Sequence, residues 1–269
     1  MCKMASIPVV DISYLVSHYH GKKIDHAQFS ADRDIQNLST QLFHVLGAWG
    51  FVYLRGHMID ELLIQRAFEE GKKFFKLNGL TKQRVSRPEK YDDCGYLSVN
   101  MEVLSPDRPC DYKECFTMAP GCQVEAEAEA THPTLWNAEK QLYGECQKLA
   151  FLLCHLFDVC LGIWERSFLA GQHENMGDYQ MNSSTMRVNY YPPVRNANLA
   201  DLQLSCSEHS DFGSFTLLFQ DDKGGLQVGA RFRHCCNYKI LWKVRNLGFE
   251  STFNIVCHFF SVISGKIRI

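Results

Sequence analysis

The alternation of apolar and polar positions divides the chain into a helix-patterned first half and a strand-patterned second half. From Ile35 to Trp49 the apolar residues Ile35, Leu38, Leu42, Val45 and Leu46 recur at helical spacing, and Gly50 supplies the stop. Ahead of it "IPVVDIS" reads as a short buried strand that turns out at Asp11, and after it "GFVYLRGH" is a β-rich run of strand length. A second amphipathic helix is expected to start at Asp60, as N-cap, and to bring Leu63, Ala67, Phe74 and Phe75 toward one core before "LNG" ends it. A third stripe, running through Leu142, Cys146, Leu149, Leu153, Leu156, Phe157 and Cys160, predicts a long helix over 135–160 that Gly162 breaks.

Residues 81–120 mix charge, proline and aromatic side chains, with "CGYLSVNMEVL" and "DYKECFTM" as strands in a loop-rich connection. "EAEAEA" at 125–130 reads as a solvated surface loop or frayed helix without chemistry of its own. Beyond the polar connection at 171–183 the character changes: "STMRVNYYPP", "SFTLLFQD" and "GGLQV" are β-branched and aromatic runs separated by turn residues. The expected organisation is a helix-rich region over 1–125, a long helix and connection over 126–180, and a β core over 181–269 that carries the candidate site.

A hydrophobic share of 46% over 269 residues is enough for a substantial core and sets disorder aside. The net charge of −2 offers no broad basic face for a phosphate backbone, so nucleic acid is not an expected partner. Pro8 and Asp11 interrupt the N-terminal apolar patch before a secretory h-region can form, and no later run approaches a membrane span. A soluble, cytoplasmic protein without a membrane partner is the expectation; nothing in the pattern speaks to oligomeric state. The 12 cysteines are scattered without a CxxC pair or zinc spacing. Cys115 with Cys122, and Cys235 with Cys236, could bind metal or oxidise, but reduced thiols packed as small hydrophobes are expected, which disfavours a structural zinc protein.

The candidate chemistry sits in "HSDFGSFTLLFQDDKGGLQV", residues 209–228. On a strand, His209 and Asp211 point to one face while Ser210 points away. An imidazole and a carboxylate, joined by a second histidine from a distant strand, form the facial triad that leaves adjacent positions open on non-haem Fe(II). With 11 histidines in the chain, about 0.6 His-x-Asp triplets arise by chance, so the surrounding sequence has to carry the argument.

That context resembles the isopenicillin N synthase-like Fe(II)/2-oxoglutarate oxygenases. The 209–228 stretch is similar to their metal-binding strand and following hairpin, and "RVNYYPP" at 187–193 stands in the expected place upstream. "IPVVDIS", "AWGFVYLRGH", "FEEGKKFFKLNGLTKQR" and "DYKECF" resemble the family's N-terminal region in content and order. The resemblance implies a double-stranded β-helix, or jelly roll, with N-terminal helices packed outside. It implies that His209 and Asp211 are iron ligands and that Asn189 and Tyr191 line the 2-oxoglutarate pocket. Arg187 is assigned to a structural ion pair, and Phe212, Phe215 and Phe219 line either the pocket or the core, the core being the commoner place for such residues. The implied activity is a dioxygenase with Fe(II) as cofactor and 2-oxoglutarate as cosubstrate, oxidising a small organic molecule with dioxygen while 2-oxoglutarate becomes succinate and carbon dioxide.

The chain departs from the pattern after Val228. The family's distal His-Arg-Val and the Arg-x-Ser that grips the far carboxylate of 2-oxoglutarate are absent; the only later histidines are His234 and His258. His234 reads as a surface residue. "LWKV", "FNIV" and "ISGK" resemble strands that precede the distal histidine, which makes His258 a strand residue rather than the ligand. Either residues 229–241 are inserted and the catalytic end is missing, or the chain is a short form that keeps the scaffold without the chemistry. Incomplete C-terminal strands and exposed sheet edges are therefore expected, with weak iron binding and little or no activity. A non-catalytic scaffold or regulatory variant of the same fold is the alternative.

Overall fold

The computed structural model describes residues 7–87, 94–163, 167–193, 203–209, 211, 213–230, 240–244 and 252–259, with backbone alone for 228–230, 240–244 and 252–259. In chain order the elements are β1 (Val9–Asp11), α1 (Ser13–Tyr19), α2 (His26–Ala31), α3 (Arg33–Trp49), β2 (Tyr53–Arg55), α4 (Glu61–Phe75) and α5 (Gly79–Gln83). They continue with β3 (Gly95–Leu97), β4 (Glu114–Met118), α6 (Glu125–Thr131), α7 (Pro133–Cys160) and α8 (Phe168–Gln172). The strands β5 (Thr185–Tyr191), β6 (Cys206–His209), β7 (Phe215–Gln220), β8 (Leu226–Ala230), β9 (Ile240–Val244) and β10 (Thr252–Phe259) complete the order. The described residues divide into two units: one takes those within 7–59 and 145–174, the other those within 60–144 and 175–259.

In the first unit β1 and β2 pair in parallel, and Arg55 meets Asp11 across the pair at 2.9 Å. Asp32 caps α3 by accepting from the N–H groups of Asp34 and Ile35, and Gly50, at φ 63°, ends it where the spacing predicts. The buried residues of α3 are Ile35, Leu38, Ser39 and Leu42, the face expected from the periodicity. Just after β2, Gly56 has φ +77°, and a Cβ there would lie 2.7 Å from the Cβ of Ser13. Gly56→Ala therefore combines left-handed strain with a backbone-level clash; a loss of about 2 kcal/mol or more is expected in urea unfolding.

The second unit is built on antiparallel sheets. A five-stranded sheet has the order β3-β4-β5-β10-β7, and a three-stranded sheet the order β6-β9-β8. From β5 to β8 successive strands alternate between the two sheets, the arrangement of a jelly roll. In these sheets β10 pairs with both β5 and β7, and β9 with both β6 and β8. Among the described strands these two lie at interior positions of their sheets.

Asp60 caps α4 as expected, and α4 buries Ala67, Phe68, Gly71, Phe74 and Phe75. Its target is one face of β4 and β5: Phe75 stacks on Tyr190, Phe74 lies 5.2 Å from Phe116, and Gly71 lets Val188 approach. Residues one position along each strand face the other way. Those are Cys115 and Thr117 on β4, opposite Asn189 and Arg187 on β5. "EAEAEA" forms α6 with Ala128 fully buried, and its Glu125 and Glu129 flank Lys140 at 3.1 and 3.4 Å. Of "CGYLSVNMEVL" only Gly95–Leu97 is strand.

Among the described residues no helix is long and apolar enough to cross a membrane. Among the described residues Cys94, Cys110, Cys115, Cys122, Cys146, Cys154, Cys160 and Cys206 form no disulfide, and most are buried. Cys235 and Cys236 lie outside the described residues.

Candidate active site

β6 is a short strand that ends on His209, with Cys206 and Ser207 buried and the last two residues half-buried. The His209 Nδ1 lies 2.8 Å from the Ser207 carbonyl oxygen, so an Nδ1–H donates there and the ring is turned with Nε2 outward. Nε2 lies 3.5 Å from Asp211 Oδ1. The two side chains thus lie side by side at the strand end, with about 14% and 21% of each exposed. Burial disfavours the charged ring most strongly, but hydrogen bonds to Asp211, Cys206 and the Ser207 carbonyl outweigh it and raise the His209 pKa to about 10.

This donor set suits a divalent cation. An imidazole nitrogen whose partner nitrogen is pinned on a backbone carbonyl, set beside a carboxylate, is the ordinary first and second layer of an N/O metal site. The fit covers two positions of a coordination sphere: among the described residues no group of three or more His, Cys, Asp or Glu side chains converges. His234 lies outside the described residues. His258 is on β10, opposite Thr185 and Thr216 in the five-stranded sheet, whereas His209 belongs to the three-stranded one.

Asn189 and Tyr191 occupy the face of β5 turned away from α4, and both are buried. The Asn189 Oδ1 is enclosed without a hydrogen-bond donor, which leaves it an acceptor for a ligand group. Tyr191 has no exposed surface. Arg187, two residues earlier on the same face, donates from Nη1 to Glu102 and from Nε to Thr117 Oγ1, both at 2.9 Å, the structural ion pair expected of it. Phe215 and Phe219 share a face of β7 with buried Leu217 but are only half-buried; Phe212 is outside the described residues.

A buried ionic group that sequence reading missed lies beside these residues. Lys113 Nζ is 2.8 Å from Glu102, 3.1 Å from Asp111 and 3.4 Å from the Cys206 sulfur. Burial works against the charge on Glu102, yet Lys113 and Arg187 hold its carboxyl well below the usual range. Burial likewise opposes the Lys113 ammonium, and the surrounding Cys206, Glu102, Tyr191 and Asp111 side chains carry its pKa upward. The signal available in the sequence was the Asp-x-Lys of "DYKECF", which reads only as the approach to a strand.

Two sheets with strands alternating between them, and a His-x-Asp pair at the end of one strand, define an oxygenase-type jelly roll, and comparison with known proteins gives the family. The model of the N-terminal region of non-haem dioxygenases in morphine synthesis matches residues 7–139, and that of the 2OG-Fe(II) oxygenase superfamily matches residues 182–241. The chain belongs to the 2-oxoglutarate- and Fe(II)-dependent oxygenase family. It is 31% identical over 204 residues to proline hydroxylase buaE of Petromyces alliaceus, which covers 70% of this chain and 59% of that protein. It is 28% identical over 219 residues to the 2-oxoglutarate-dependent dioxygenase gloF of Glarea lozoyensis, covering 75% and 64%. The chain therefore spans less than two thirds of each of these relatives. In fold it is similar to a full-length Neurospora crassa protein solved in complex with alpha-KG, with a TM-score of 0.71 at 19% identity over 95% of this chain and 85% of that one. The rice dioxygenase for auxin oxidation gives a TM-score of 0.63 at 14% identity over 96% and 83%.

Proposed function

We propose that this chain carries the cofactor-binding part of an Fe(II)- and 2-oxoglutarate-dependent dioxygenase that oxidises a small organic molecule. The observation that carries this reading is the His209–Asp211 pair, 3.5 Å apart at a strand end with the imidazole anchored through its other nitrogen. His209 Nε2 and an Asp211 oxygen would hold Fe(II), and Asn189 and Tyr191 would face 2-oxoglutarate. Bound together, the metal and cosubstrate supply dioxygen activation coupled to decarboxylation of 2-oxoglutarate to succinate.

The protein's own part is placement. The Ser207 carbonyl fixes the ring plane of His209, so little side-chain freedom is lost when the metal is taken up. The Asn189 amide oxygen, buried and without a donor, accepts a hydrogen bond from a ligand in a setting where that bond is worth more than in water. Half-burial of both metal-binding side chains restricts water around the site without closing it.

Anaerobic titration with Fe(II) and then 2-oxoglutarate tests the reading. Weak Fe(II) binding with a faint charge-transfer band on adding 2-oxoglutarate, and little succinate on admitting air, is the expected result for two converging protein ligands. Absence of Fe(II) binding by the folded chain at millimolar metal would leave the scaffold reading in its place.

A further inference from the structure

We infer that Lys113 and Asp111 are positioning residues: by clamping the segment 100–113 onto β6 they set the register in which that strand presents His209. The inference rests on the metal-site reading above and concerns residues with no place in it. The Cys206–His209 ladder to β9 is irregular, with its register shifting between Cys206↔Val244 and His209↔Trp242. A slip of one residue would turn His209 to the opposite face, and a ladder interrupted between those two residues resists such a slip poorly.

Bonds outside that ladder supply what it lacks. The Ser207 N–H donates to Asp111 Oδ1 at 2.8 Å, and the Tyr112 N–H donates to the Leu204 carbonyl at 2.9 Å. Gln203 donates to the Cys110 carbonyl at 2.8 Å, and the Asp111 N–H donates to the Glu102 carbonyl at 2.8 Å. The segment thus meets Gln203 and Leu204, just ahead of β6, through the Cys110 carbonyl and the Tyr112 N–H, and β6 itself at Ser207 through the Asp111 carboxylate. Ser207 is the link between clamp and site, because its N–H is held by Asp111 while its carbonyl holds the His209 ring.

Lys113 keeps that carboxylate in place. Asp111 is fully buried, where an unpaired charge is costly, and the Lys113 ammonium 3.1 Å away supplies its counter-charge. The same ammonium reaches Glu102 at 2.8 Å and Cys206 on β6 at 3.4 Å, and Glu102 is matched in turn by Arg187 at 2.9 Å. The group is neutral, two cations against two anions, and it ties β4, β5 and the 100–113 segment to the strand that bears the His-x-Asp pair.

The test compares the full chain with Lys113→Met, and with the charge-balanced Lys113→Met/Glu102→Gln double variant, which keeps an acceptor for Arg187 and folds even where the single variant does not. The readouts are Co(II) affinity by calorimetry and the hydrogen-bonded Nδ1–H of His209 by nitrogen-15 NMR on metal-free protein, both at a temperature where circular dichroism shows full folding. The expected result is a loss of about tenfold or more in Co(II) affinity, with disappearance of the protected Nδ1–H signal. Parent-like affinity and an unchanged signal in the folded double variant would overturn the inference. If the parent binds no Co(II) yet the signal is lost in the variant, the positioning role stands and the metal-site reading falls.

Discussion

His209→Ala is expected to abolish detectable Fe(II) or Co(II) binding, a loss of more than about a hundredfold, while leaving the fold intact. The scale follows from the fact that altering even an outer-layer partner costs about 10–100-fold in metal affinity, and His209 is one of only two donors that converge among the described residues. Its ring keeps about 14% of its surface exposed, and its removal vacates the rim of the site rather than a close-packed core. Asp211→Asn should fall nearly as far, because it keeps the shape and removes the charge that a hard divalent ion needs. Calorimetric titration of the parent and both variants, each with a melting curve, is the measurement. Undiminished binding by His209→Ala would exclude the pair as ligands, whatever the family.

The features that local chemistry dictates were legible in the sequence. Asp60 and Gly50 terminate helices through side-chain capping and a left-handed φ, and neither needs a distant partner to be recognised. The two faces of β5 follow from strand periodicity in the same way. The buried ionic group was not legible because its members meet across long separations, Arg187 with Glu102 over 85 positions and Lys113 with Cys206 over 93. "VNMEVL" alternates like a strand, yet most of it runs as irregular chain in the segment that docks beside β6, where backbone bonds to loop residues replace a ladder. The interior placement of β9 and β10 was hidden for a related reason: an apolar run shows that a strand will pair, but not which strands will flank it. "EAEAEA" became an ordered helix because one of its alanines found a buried position and Lys140, on the next helix, found its glutamates.

Glu139→Met is expected to raise stability by about 1–3 kcal/mol at pH 7, and this rests on a residue that the apolar stripe of α7 conceals. Glu139 falls one turn after Leu135 and one before Leu142 and Tyr143, all buried, and is itself wholly enclosed with neither carboxyl oxygen hydrogen-bonded. Burial alone drives its pKa well above the usual carboxylate value. Burial therefore favours the neutral form in the folded chain, while in the unfolded chain the group ionises above about pH 4.3. A carboxyl whose folded pKa is raised contributes fully below the unfolded value and loses that contribution as pH rises. The parent is thus penalised at neutral pH, and methionine, close in length and without charge, removes the penalty. Denaturant unfolding of both proteins at pH 7 and pH 4 separates the two causes of any gain: an advantage that disappears at pH 4 belongs to the buried proton, whereas one that persists belongs to packing. A destabilised Glu139→Met at both pH values would mean that the carboxyl is engaged with a polar partner in solution.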